Sequence, residues 1–381
     1  MSEYQYYEFQ AVDRPLSQEH MAELRRLSTR AEITPSRFVN VYNFGSFKGD
    51  PATLMERYFD AFVYVANWGT HEFMLRLPRH LVDPEVVRLY GGDRSIKVRF
   101  AGDFAVAEFL SEDEDGDFDD GTEWMAALLP VREDLAGGDL RALYLGWLLS
   151  AWTEELDEEA IEPPVPPGLQ DLSPSLQALV DFLEVDEDLI AVAAEGSARF
   201  QDVRPTRAAY EEWIAGLAES EKNGYLLGLM EGAGLHLGAD LRQRFRRAMA
   251  PTNLQAGEVS QRRTVGQLLR TAEERTEARR QAEAERLARE RAKRQAEQAA
   301  ARAKHLDRLA MNELQAWQRV DALIDTKRPT EYDQAVALLV DLRDMSARTG
   351  RAEAYAECLR NLRERHARKP SLMERFERAK L

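Results

Sequence analysis

The spacing of apolar and polar positions changes character along this chain. In the first hundred or so residues it alternates in short aromatic and β-branched runs: Tyr4–Val12 (YQYYEFQAV), Phe38–Phe44 (FVNVYNF), Phe62–Asn67, His71–Leu77, Ile96–Phe100 and Phe104–Leu110. Such runs, bounded by Gly, Asp and Asn, predict six strands, with Trp68-Gly69-Thr70 as a hairpin turn. Between them Met21, Leu24 and Leu27 recur at helical spacing behind Ser17, a predicted N-cap. Asp50-Pro51 opens a second short helix, with Asp as cap and Pro in the first turn, and a helical turn is expected around Asp83–Leu89. Residues 1–111 therefore predict an α+β domain built on a mainly antiparallel sheet.

Residues 112–123 (EDEDGDFDDGTE) are almost wholly acidic and predict an exposed loop. The period then becomes helical, and residues 124–250 predict an acidic helical domain with turns at Gly137-Gly138, Pro163–Gly168 and Gly232–Gly238. The segment PPVPPG must be an extended connector, because proline cannot continue a helix. LRALYLGWLLSAW is too short to span a membrane and reads as a core helix.

Residues 261–326 predict one long helix rich in Ala, Glu and Arg. Its stretch Gln267–Ile324 has no Gly or Pro, and at about 1.5 Å per residue it would form a rod of roughly 90 Å. A coiled coil needs an apolar seam, but from Ala272 to Ala303 nearly every candidate is Ala, with Leu287 the exception, so little area would be buried. Glu285–Arg289 and Glu290–Arg294 instead support an exposed helix through i,i+4 pairs. From Leu306 on, Leu309, Trp317, Val320 and Ile324 supply a seam for packing on the C-terminal part. Residues 327–381 predict a helical hairpin with a basic tail, Gly350 closing its first helix and Ala335, Leu338, Leu339 and Leu342 forming one apolar face.

Charge divides the same way. The chain of 381 residues has 51 Lys+Arg, 67 Asp+Glu and a net charge of −16. Residues 251–381 hold 28 of the former and 21 of the latter, net +7, which leaves 23 and 46, net −23, for residues 1–250. No Lys or Arg occurs between Arg141 and Arg199, a gap of 57 residues containing 13 Asp or Glu. The acidic part would repel nucleic acid, so binding of that kind falls to the C-terminal third. The polarity is also compatible with a homo-oligomer formed head to tail. MSEYQYYEF lacks the basic and apolar regions of a signal peptide, and the single Cys358 forms no internal disulfide, so a cytoplasmic protein is expected.

Candidate chemistry is sparse. The acidic loop fits an EF-hand in neither register: with Gly116 at position 6, Ser111 and Thr122 occupy the ends, and with Gly121 there, Gly116 and Phe118 fall at positions 1 and 3. The six His residues form no pair at helical ligand spacing. Gly224–Gly238 lacks the Gly-Lys-Ser/Thr of a phosphate loop, and Gly232, Gly234 and Gly238 miss the dinucleotide spacing. Cys358 sits in a predicted helix near Arg360 and is expected as a buried thiol. No catalytic residue, cofactor or metal is predicted. The one binding candidate is the basic cluster Arg360, Arg363, Arg365, Arg368 and Lys369, suited to salt-dependent contact with phosphates.

The segments YQYYEFQAVDRPL, FKGDPATLMERYFDAFVYVANWGT, FMLRLP and DLRALYLGWLLSAW resemble an uncharacterised bacterial protein family, a likeness that brings no activity or site residue. DLRDMSARTGRAEAYAECLRNLRERHARKPSLMERFERAKL is similar to the helical tail of some bacterial SWIM-type zinc-finger proteins, although the zinc motif itself is missing here. That likeness implies helical packing and a shared kind of partner, not metal binding. The expectation is a non-enzymatic adaptor or scaffold that makes protein–protein contacts away from the membrane. The alternative is a nucleic-acid-associated protein acting through its basic C-terminal helices.

Overall fold

The computed structural model describes residues 3–113, 119–199, 206–230, 237–249 and 262–381. They form two compact units, Met1–Ala278 and Arg279–Leu381. The expected turn at Gly232–Gly238 and the centre of the acidic loop lie largely outside the described residues.

The first unit is built on one antiparallel sheet. Its strands are β1 (Gln5–Gln10), β2 (Glu32–Ile33), β3 (Arg37–Tyr42), β4 (Ala61–Ala66), β5 (Thr70–Pro78), β6 (Ile96–Ala101) and β7 (Phe104–Glu112), in the order β2-β3-β1-β4-β5-β7-β6. The six predicted strands are present. The seventh, β2, is only two residues long and too short to leave a period in the sequence. Helices α1 (Gln18–Leu27), α2 (Pro51–Arg57) and α3 (Pro84–Tyr90) interrupt the strands. Ser17 and Asp50 cap the first two as predicted, their side chains accepting from His20 N and Thr53 N.

Alternation along each strand sends two apolar rows to opposite faces. Phe9, Phe38, Phe62 and Met74 join Leu24 of α1 and Leu54 and Met55 of α2 in one core. Val63, Val65, Phe73, Leu75 and Phe109 face the other way, onto α4 (Trp124–Leu128), α5 (Pro130–Ala136), α6 (Arg141–Trp152), α7 (Pro174–Leu183) and α8 (Glu187–Glu195). The expected boundary at residues 112–123 therefore does not separate two domains. The helices after it bury their apolar faces on the sheet and share its core, a fact hidden in sequence by the charge of the connecting loop. α6 is buried along nearly its whole length, and Gly146 lets it approach β6: a Cβ there would meet Ile96 at 2.9 Å.

A polar network crosses this sheet. Asp60, fully buried, accepts from Val12 N (2.7 Å) and Asp13 N (2.9 Å) through one oxygen and from the Arg76 guanidinium (2.7 and 3.1 Å) through the other. Arg76 also donates to Glu56 O (3.1 Å). From α5, Arg132 donates to Arg76 O (2.8 Å) and to Asp13 Oδ2 (2.6 Å).

Helices α9 (Arg207–Gly216), α10 (Glu219–Met230) and α11 (Leu237–Met249) follow. The chain then returns at Arg263, which pairs with buried Glu162 (2.7 Å) and donates to Val192 O (2.7 Å). Tyr144 of α6 bonds the same carboxylate. Thr264 and Gln267 form a reciprocal capping box at the start of α12 (Val265–Met311). Val265, Leu268 and Ala272 anchor its first turns in the core of the first unit.

Residues 277–302 of α12 are all exposed, as Leu287 and the alanines predict, and Glu285–Arg289 (3.3 Å) and Lys293–Glu297 (4.0 Å) pair along it. The helix expected to run unbroken to residue 326 ends at Met311. Asn312 departs from helical geometry, with φ −125° and ψ 30°, and its amide bonds the Arg308 carbonyl, so a side chain that competes for backbone partners breaks the rod without Gly or Pro. The second unit continues with α13 (Glu313–Asp325), α14 (Pro329–Arg348), α15 (Ala352–His366) and α16 (Pro370–Arg378). The predicted hairpin is α14 and α15, with Gly350 at φ +72° after the first, but the basic tail is a further helix that buries Leu372 and Phe376.

Removing one member of a buried ion pair strands its partner, a loss of about 3–5 kcal/mol. Arg76→Ala is therefore expected to lower the urea midpoint of the first unit, followed by the fluorescence of Trp124 and Trp147. The transition of the second unit, followed at Trp317, is expected to stay unchanged.

Candidate functional site

Side chains from β5, the segment after β7, α4 and the end of α7 converge on a cleft of about 720 Å3 in the first unit. β5 supplies His71, which continues the row of Phe73 and Leu75 at the point where the apolar face gives out. Phe182, fully buried on α7, stands between two lining residues: the His71 ring lies 5.1 Å from it and the Trp124 ring 5.2 Å, both edge-on. Asp119 ties the wall together. One of its oxygens accepts from Gly121 N (2.7 Å); the other accepts from the Trp124 indole and lies 3.9 Å from His71 Nε2. The turn needs glycine at 121, where φ is +77° and a Cβ would meet Tyr6 at 2.6 Å. Asp120 accepts from the backbone and hydroxyl of Thr122 (3.0 and 2.7 Å), while its carbonyl accepts from Tyr4 (2.9 Å). Asp181 and Glu184, at the end of α7, close the opposite wall.

The electrostatics follow from crowding carboxylates around a half-dry wall. Partial desolvation, a shared hydrogen bond with Asp113 and the charge of Asp119 push the Glu184 pKa up to about 7, although the residue as a whole keeps solvent contact. Burial lowers the His71 pKa against the opposing pull of Asp119, so the ring is neutral at neutral pH. The cleft can therefore hold a cationic group beside an aromatic face, and it can exchange protons at Glu184. Among the described lining residues the one hydroxyl, on Thr122, is donated to Asp120. Among the described residues no group of three or more His, Cys, Asp or Glu side chains is placed to hold a metal ion.

The sequence pointed to the acidic segment as a solvated loop, and residues 114–118 lie outside the described residues. What it missed is that Asp119 and Asp120 face His71, Asp181 and Glu184. No spacing relates α7 to β5, so only the packing around Phe182 brings them together.

The predicted basic cluster is placed in the second unit, and the structure does not gather it on one face. Arg363 donates to Leu381 O (3.1 Å), and Arg365 pairs with Asp321 (3.2 Å). Lys369 donates to Ile324 O (3.1 Å) and lies 3.8 Å from Asp325, at the C-terminal end of α13, where a cation complements the exposed carbonyls. Arg360 and Arg363 instead join Arg343 and Lys380 around a groove of about 440 Å3 floored by Tyr355 and Leu359. Arg360 and Arg368 have no ion-pair partner among the described residues. Cys358, expected as a buried thiol, is exposed, at the margin of the α15 face that buries Tyr355 and Leu362.

No family model, curated protein or solved structure matches the chain. No helix among the described residues is long and apolar enough to cross a membrane.

Glu184 and Glu72 titrate in a testable window. Burial and the neighbouring Glu108 push Glu72 up to about 7 as well. A carboxyl whose pKa is higher folded than unfolded binds the extra proton in the native state, so it costs stability once pH exceeds that value. Thermal stability of the first unit is expected to rise as pH falls from 8 to about 6.5. Below that range protonation of unfolded His71 begins to oppose the trend. Glu184→Gln combined with Glu72→Gln should flatten the profile between pH 6.5 and 8; an unchanged slope in a scanning-fluorimetry series would reject the assignment.

Proposed function

We propose that the chain is a non-enzymatic adaptor or scaffold that makes protein–protein contacts. The observation that carries this reading is that each unit closes its own core while one helix, α12, belongs to both and leaves residues 277–302 exposed. A helix with no apolar stripe does not fold for burial; it is kept by propensity and its two anchored ends. The opposed charges support the same reading, with net −23 over residues 1–250 and +7 over the rest giving each unit a different class of partner surface. The cleft around His71 adds a place where a basic group from a partner can be received.

Nucleic-acid association through the C-terminal helices has weaker support, because Arg363, Arg365 and Lys369 are turned to partners within the unit. Phosphate binding would require breaking those contacts.

Affinity capture with the full chain as bait, from its source organism, is expected to return a protein partner in stoichiometric amount, joined to the bait by cross-linking before lysis. Recovery of the bait alone under cross-linking would reject the adaptor reading. In gel shifts with duplex DNA the full chain is expected to bind negligibly at about 150 mM salt. A complex surviving that salt, with a slope of several counterions, would favour the nucleic-acid reading instead.

A further inference from the structure

The open edge of the sheet carries a second surface of opposite charge to the His71 cleft. β6 is the terminal strand on its side, whereas the other edge is the two-residue β2. Its ladder fixes which backbone groups are unused. Leu110 N donates to Ser95 O (3.0 Å), and with the register Lys97↔Glu108 and Arg99↔Val106 this assigns the β7-directed bonds to Lys97, Arg99 and Ala101. The alternate residues point outward. Ile96 O is taken by Gly92 N (2.9 Å). The N–H and C=O of Val98 and Phe100 have no hydrogen-bond partner among the described residues.

Beside this edge runs a cleft of about 580 Å3 between β6 and α3. Arg79, Arg88, Lys97 and Arg99 line it, against Asp93 as the one acidic lining residue, within a region of net charge −23. Arg79 lies over the Phe100 ring at 5.1 Å, and Arg88 pairs with exposed Glu85 at 2.8 Å. Arg99 is spread between Glu56 (3.4 Å) and Glu108 (3.5 Å), and its Nη2 is buried without a hydrogen bond.

We propose that the β6 edge receives an extended acidic segment of a protein partner, which adds to the sheet as an eighth strand. The backbone of Val98 and Phe100 supplies the pairing groups, and the basic cleft supplies the charge selection. An added strand places alternate side chains opposite Lys97 and Arg99 on one face and opposite Val98 and Phe100 on the other. The fitting segment therefore alternates Glu or Asp with an apolar residue. A basic strand meets the Lys and Arg row unfavourably, and a neutral one gains no ion pair there, so the charged row disfavours random pairing at the open edge. A nucleic acid has the right charge but no row of amide groups to complete the ladder, and the long-range field of the region repels a large polyanion. This inference rests on the adaptor reading and gives that reading a partner chemistry.

The test uses the full chain and a fluorescein-labelled, end-capped probe, Glu-Val-Glu-Val-Glu-Val-Glu, followed by anisotropy at about 100 mM salt, near a 10 Å Debye length. The valine amides are the ones that face β6. N-methylating them is expected to weaken binding at least about tenfold, while N-methylating the glutamate amides changes it little. The Lys-Val counterpart is expected not to bind, and the protein variant Arg88→Glu/Lys97→Glu is expected to lose the probe while keeping its melting temperature. Absence of binding by the native chain overturns the proposal. Equal loss from both methylation patterns also overturns it, because that result means charge attraction without strand pairing. The two readings fail separately. A variant that loses the probe yet captures the same cellular partner sinks only the edge assignment, whereas a chain that captures nothing and binds no probe sinks both.

Discussion

The first unit depends on a single buried carboxylate. Asp60 sits at the start of β4 with no solvent contact, and each of its oxygens is committed, one to the backbone after β1 and one to Arg76 on β5. A charge in that position is tolerable only because every lone pair finds a donor and the guanidinium opposite is itself satisfied. Arg132 extends the arrangement out of the sheet by donating to Arg76 O, so that the layer of helices is referenced to the strands by a polar contact with fixed geometry.

With that registration fixed, apolar cores cover both faces of the sheet, and among the described residues one cleft opens beside β5 and another beside β6. The apolar row of β5 stops at His71, and there the wall turns polar and a cleft opens. The sheet stops at β6, and there a backbone edge lies beside four cations. The two openings carry opposite charge because their walls come from different segments. The first takes its walls from the acidic stretch after β7 and the end of α7, and the second from the Arg-bearing stretch between β5 and β6 and from β6 itself.

Much of this fold was legible in the order of residues. Periodicity located six of seven strands, and the capping roles of Ser17 and Asp50 were readable because a cap is a local contact between a side chain and an amide three residues away. Exposure of α12 was readable from its alanines. The failures share a cause: each depends on contact between distant segments. The acidic run looked like a domain boundary, although the helices after it close the sheet. The C-terminal basic residues looked like one surface, but their direction is set by Asp321, Asp325 and the end of α13. The break at Asn312 is the exception, a local event without the usual punctuation of Gly or Pro.

The contacts of Arg263 carry a consequence for how this chain can vary. The backbone leaves the sheet-bearing core just after Ala198, whose carbonyl accepts from Gly168 N (2.8 Å), and is held again at Arg263 against Val192 O and Ala193 O, on the preceding helix α8. Exit and re-entry are therefore neighbours, and among the described residues between them α11 also returns to the core, packing on α5 with Asp240 lying 3.9 Å from His80 Nε2. The described part of this stretch carries a small aromatic cluster of its own, Tyr210, Trp213 and Phe245. Loop closure grows only with the logarithm of length, about 0.6 kcal/mol for each doubling. A change of length between Ala198 and Arg263 is therefore cheap in closure entropy as long as the seat of α11 on α5 is kept.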